Sequence, residues 1–109
     1  MYDLIVCSTS APYLSWAPEE AIEACMGASN VGLKVALLLL QDGVQQLDPE
    51  RVPAHDQQGN IFKKLKLLSL YDIDLLSTPN LYTTNTDVRI VSETEAKTLI
   101  ADSCHHLHF

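Results

Sequence analysis

The segment Leu33–Leu40 is apolar almost without alternation, and Val35 to Leu40 is an unbroken apolar run. A strand with one wet face alternates apolar and polar residues, because successive side chains point to opposite faces. A run without alternation fits a strand buried on both faces, and such strands belong to parallel sheets with helices on either side. The residues just before it agree. Ala21, Ile22, Cys25, Met26 and Ser29 recur at helical spacing and make one face. Pro18 suits the first turn, where its missing N–H costs nothing, and Glu19 and Glu20 favour the same end through the helix dipole. Asn30 and Gly32 mark the stop. A helix running straight into a doubly buried strand is the repeating unit of an α/β domain.

The rest of the chain continues the alternation. Tyr2–Cys7 reads as a strand, and Ser8–Ala17 as a small polar loop. Asp48–Gly59 carries Pro49, Pro53, His55 and Gly59 and reads as a loop. Asn60 caps a second helix, Ile61–Leu70, with Ile61, Phe62, Leu65 and Leu68 inward. Lys63, Lys64 and Lys66 form a solvated face rather than an anion site. Ile73–Ser77 is a third strand, Pro79–Asp87 a polar loop, and Val88–Val91 a fourth strand. Ser92-Glu93-Thr94-Glu95 has capping-box spacing, so a third helix runs to about Ser103, with Ala96, Leu99 and Ile100 inward. Cys104–Phe109 has the length of a terminal strand. The order β-α-β-α-β-β-α-β predicts an α/β fold over residues 1–109: a single three-layer domain whose mostly parallel five-stranded sheet has helices on both faces. Its crossovers are expected to be right-handed.

Composition narrows the function. Fourteen acidic residues stand against seven basic ones, giving a net charge of −7. An acidic chain is unsuited to gripping a phosphate backbone, so no direct nucleic-acid contact is expected. The Met-Tyr-Asp-Leu start lacks the basic region of a signal peptide, and the longest apolar run is too short to span a bilayer. Three cysteines at wide spacing, Cys7, Cys25 and Cys104, make no disulfide framework, which fits a reducing, cytoplasmic setting.

Few residues invite chemistry. Cys7 ends the first strand and opens a hydroxyl-rich loop, and ligands in open α/β sheets sit at the carboxyl ends of strands. A lowered thiol pKa there would make it a persulfide or redox centre. Residues 8–18 contain no Arg to complete an anion cradle. The simpler reading is a small buried residue. Cys25 lies on the apolar helix face and reads as core. The four glycines are scattered, so there is no phosphate-binding loop and no cofactor is expected. In the tail CHHLHF, a strand would put Cys104, His106 and His108 on one face and His105, Leu107 and Phe109 on the other. Alternate positions stand about 7 Å apart, awkward for one metal, so the tail reads as an ordinary terminal strand with no metal.

Taken together, STSAPY after the first strand, EEAIEACMGAS in the first helix, LLLLQDGVQQL closing the second strand and FKKLKLLSLYDID leading into the third resemble the DsrE/DsrF/DsrH family of small sulfur-relay proteins. The match is closest to its DsrF/TusC branch. Asp42-Gly43-Val44, Gln46-Leu47 and Leu70–Ile73 are the most specific parts. The resemblance implies a non-catalytic, partner-presenting subunit of a sulfurtransferase complex. Its TusB-like and TusD-like sister subunits would form a hetero-oligomer that passes persulfide sulfur through a TusE-like acceptor toward 2-thiouridine in tRNA. DsrEFH relatives work instead in sulfur oxidation. The family's sulfur-carrying cysteine lies just after the third strand of the TusD/DsrE subunit, and here Asp74–Thr78 contains none. The chain departs from the branch in two places. The loop Pro79–Asp87 is short, and Tyr13-Leu14 stands where glycine is common.

The Asp42-Gly43 pair is expected to turn the chain out of the second strand, Gly43 tolerating positive φ. Val44 and Leu47 then project from one side of a short turn, either as anchors for sister subunits or folded back onto their own core. Asp42, Gly43, Val44, Leu47 and Phe109 are the interface candidates, and Cys7 is the candidate thiol.

Overall fold

The computed structural model describes residues 1–48, 50, 60–82 and 88–109. Its strands are β1 (Leu4–Ser8), β2 (Val35–Leu39), β3 (Asp74–Ser77), β4 (Val88–Ile90) and β5 (His105–His108). Its helices are α1 (Ala17–Asn30), α2 (Ile61–Leu67) and α3 (Glu93–Asp102), with 3-10 turns at Gln41–Leu47 and Leu68–Tyr71. The sheet order is β4-β3-β2-β1-β5, and every pairing is parallel. From β1 the chain steps outward through β2 and β3 to β4, then returns across the sheet to place β5 on the free side of β1. Crossovers of constant hand that advance in opposite directions lie on opposite faces. Accordingly α1 and α2 pack on one face and α3 on the other.

The doubly buried strand is β2. Val35, Leu37 and Leu39 enter the core beneath α1 and α2, while Ala36 and Leu38 enter the core beneath α3. In β1, Leu4 and Val6 share the first core and Ile5 and Cys7 the second. The exposed residues of β5 and the largely exposed β4 are the two edges.

Helix ends follow local chemistry. Asn60 accepts from Lys63 N at 3.1 Å and Ser92 accepts from Glu95 N at 3.0 Å. The Glu95 carboxylate does not complete a reciprocal capping box; it pairs with Arg89 at 2.6 Å. Gly32, at φ 91°, closes α1 with its N–H on Ser29 O.

Several boundaries move inward from the sequence reading. The second helix tightens into the 3-10 turn after Leu67, and Asp72 ends that turn in the left-handed region at φ 57°. Ile73 N is therefore bonded to Leu68 O, within the turn closure, and β3 starts one residue later. Phe62 is only half-buried, with the Lys66 ammonium 4.6 Å from its ring centre. The expected loop Asp48–Gly59, with Pro49, Pro53, His55 and Gly59, lies almost wholly outside the described residues, as does the second half of Pro79–Asp87. Among the described residues no helix is long and apolar enough to cross a membrane.

Candidate functional site at the carboxyl edge of the sheet

The chain leaving β2 turns toward the α1/α2 face, and the chain leaving β4 turns toward α3. A crevice opens between such diverging connections, at the carboxyl ends of the strands. The structure has a cleft of about 420 Å³ there, lined by Leu40, Gln41 and Val44 after β2, Thr78 and Pro79 after β3, and α3 residues including Glu93, Lys97 and Ile100. Its walls are largely aliphatic. Its charges are Glu93 and Lys97, one helical turn apart on an exposed stretch of α3.

The edges of the cleft are fixed by polar contacts. The Gln46 amide donates to Ser8 Oγ at 2.8 Å and to Ser10 O at 3.2 Å. It thereby ties the 3-10 turn after β2 to the loop after β1. Gln46 is buried, and its Oε1 has no hydrogen-bond partner among the described residues. Asn80 donates to Ser77 Oγ at 2.8 Å and to Thr78 O at 2.9 Å, fixing the loop after β3. The ladder continues past the strands: Leu40 N donates to Ser8 O at 3.1 Å and Thr78 N to Leu39 O at 3.2 Å.

Gly43 has a different role from the one expected. The positive φ in this turn is at Gln41 (52°), and Gly43 is not in the left-handed region. What requires glycine is close approach. A Cβ on Gly43 would stand 2.0 Å from Ser8 O and 2.8 Å from Ser8 C. The backbone of the turn thus rests directly on the end of β1.

The other candidates separate. Leu47 folds back: it is fully buried in the core beneath α1 and α2. Val44 is half-buried, packs against that same core, and also lines the cleft. Gly43 is buried beneath Ser8, and Asp42 is exposed. Phe109 packs half-buried against its own core; its N–H donates to Cys7 O at 2.8 Å and its carbonyl accepts from Thr9 N at 2.9 Å.

None of the three thiols reaches the cleft. Cys7 is fully buried, and burial pushes its pKa up to about 11. Cys25 is fully buried in the other core and is pushed up to about 12 by the same cause. A thiol shielded in this way stays protonated and is a poor nucleophile, which removes the physical basis for a reactive Cys7. Cys104 is exposed but lies at the opposite, amino end of the sheet, its N–H on Tyr2 O. It lines a shallow pocket with Leu4, Leu33, His105, His106 and Leu107, and His108 is not among the lining residues. No group of three metal-ligating side chains occurs among the described residues. At the end of β3 stands Ser77, fully buried, followed by Thr78 at the cleft.

Two features were missed in the sequence. Tyr13 takes the left-handed conformation at φ 70°, where a bulky residue is strained, and its hydroxyl accepts from Ile61 N at 3.0 Å at the start of α2. The departure from glycine at this point therefore gives α2 an extra acceptor. The second is a set of exposed apolar side chains, among them Leu14, Leu70, Tyr71 and Leu81. Leu67 and Leu70 fall off the inward helical face already in the sequence, which was the available signal.

The site is thus a largely aliphatic cleft at the carboxyl edge of an all-parallel α/β sheet, with no cysteine or histidine lining it among the described residues. The chain belongs to the DsrE/DsrF-like family, whose model matches residues 3–77, from β1 to the end of β3. It is 31% identical over 71 residues to a TusC homolog from Pseudomonas aeruginosa, covering 65% of this chain and 60% of that protein. It is 38% identical over 66 residues to TusC from Klebsiella pneumoniae, covering 61% and 56%. The matched segments thus span less than two thirds of these relatives. The crystal structure of the ychN protein from E. coli superposes over 100% of both chains with a TM-score of 0.79 at 17% identity, a likeness of fold.

Proposed function

We propose that this chain is a TusC-like, non-catalytic subunit of a cytoplasmic sulfur-relay complex. It assembles with TusB-like and TusD-like sister subunits and shapes the surroundings of a sister's sulfur-carrying cysteine. The complex passes sulfur through a TusE-like acceptor toward 2-thiouridine in tRNA. One observation carries the reading: the carboxyl-edge cleft contains no thiol, because Ser77 and Thr78 end β3 and both strand and helix cysteines are buried. A persulfide needs a sulfur atom to form on, which supports a carrier thiol at this cleft supplied by another chain. The TusC relatives and the acidic surface, which disfavours direct RNA contact, support the same reading.

The test is co-expression with the genes of candidate sister subunits, followed by native mass determination and sulfur-transfer assay. The expected result is a defined hetero-oligomer whose transfer activity survives a Cys7→Ala, Cys25→Ala, Cys104→Ala replacement in this chain. A chain that stays alone, or transfer that is lost with its own cysteines while the complex remains assembled, would overturn the reading.

A further inference from the structure

We propose that His106 and His108 form a two-histidine chelating site for a divalent transition-metal ion on the exposed edge strand β5. The two residues alternate on a strand, so both side chains leave the same face, and Leu107 leaves the other. Backbone spacing alone would keep them apart. Instead the rings lean together until His106 Nδ1 and His108 Nε2 are 2.9 Å apart. The rings meet edge-on, with centroids 5.0 Å apart and planes at 87°. Two imidazole nitrogens bound at about 2.0–2.1 Å and at right angles about one metal stand roughly 2.9 Å from each other. The pair is therefore already at the separation of two adjacent ligands in square-planar or octahedral coordination.

In the metal-free chain one ring donates its N–H to the other ring's lone pair. Metal binding needs both lone pairs, so the donor ring must carry its proton on its other nitrogen. That is a tautomer change open to exposed side chains. His105 is not a third ligand: its register partner on β1 is Leu4, whereas His106 and His108 pair with Ile5 and Cys7. With two protein ligands, the remaining coordination positions are left to water or to a donor brought by another molecule. Such a site exchanges its metal readily and prefers ions in the order copper above nickel and zinc.

The test is equilibrium dialysis of the chain, in a Cys104→Ser background, against nickel chloride. One bound equivalent is expected. Losing either ligand removes the chelate advantage, so His106→Gln and His108→Gln should each weaken binding on the order of a hundredfold. His105→Gln should leave it unchanged. No uptake by the parent chain, retained affinity in either ligand variant, or an equal loss in His105→Gln would overturn the proposal.

Discussion

Replacing Gly43 by alanine tests the packing of the cleft edge directly. The added methyl would stand 2.0 Å from Ser8 O, 2.8 Å from Ser8 C and 3.3 Å from Thr9 Cα. All three are backbone atoms, so no rotamer change can relieve the clash. Overpacking of a tight site costs about 1–3 kcal/mol, and rigid neighbours place this case at the upper end. Ser8 O also accepts from Leu40 N, so moving it aside weakens a hydrogen bond with a net value of about 1 kcal/mol. The stiffer unfolded chain returns about 0.4–1 kcal/mol. The net loss is about 3 kcal/mol, which for a domain of this size lowers the melting temperature by roughly 10–15 °C. Gly27→Ala is the control. Gly27 is exposed within α1, and a Cβ there meets nothing within 4 Å. Alanine should therefore stabilise α1 by about 0.5–1 kcal/mol. Thermal unfolding followed by circular dichroism, checked by urea titration, measures both. Two variants shifting in the same direction, or a Gly43→Ala chain melting with the parent, would refute the close-approach argument.

The thiols should react unequally. With a pKa of about 11, Cys7 is only about one part in ten thousand thiolate at pH 7, so a thiol-specific reagent should titrate Cys104 alone in the native chain and all three after unfolding. Stability should also fall in alkali. Burial raises the folded pKa of Cys7 to about 11 and of Cys25 to about 12 from an ordinary value of 9.0. Their contribution is therefore complete below pH 9 and is lost as pH rises toward and through those values. Urea midpoints measured from pH 7 to 11 should be flat and then decline, less steeply in Cys7→Ala. Ser92→Ala removes the acceptor for Glu95 N and should cost about 1 kcal/mol by urea unfolding, without altering any contact of the cleft floor.

Most of the fold is written in local patterns. The apolar run at residues 33–40 required a strand with two cores, and β2 has them. Asn60 and Ser92 stood in capping positions, and both cap. The boundaries that moved did so for reasons of tertiary geometry: Ile73 is drawn into the turn closure at Leu68, and Glu95 finds Arg89 rather than the helix start. The site was less legible. Asp42-Gly43 was visible as a turn, but its reason was not, because the atoms that forbid a Cβ belong to Ser8, far away in the sequence. Likewise Leu47 could be read as anchor or core until the turn's direction was known. The spacing of His106 and His108 gave the shared face but not the approach of their rings, which depends on side-chain torsions.

Two of the three non-glycine positive-φ residues among the described ones gather at the carboxyl edge of the sheet, the third being Asp72 just before β3. Of the non-glycine residues with positive φ, Tyr13 lies in the loop after β1 and Gln41 opens the turn after β2. Gln46 holds those two loops together through its amide N–H groups. Gly43 closes the same junction by backbone contact alone. Strained conformations persist only where the surroundings over-determine them, and they concentrate where geometry matters for function. A constrained edge of this kind is what the partner-presenting role proposed above would require.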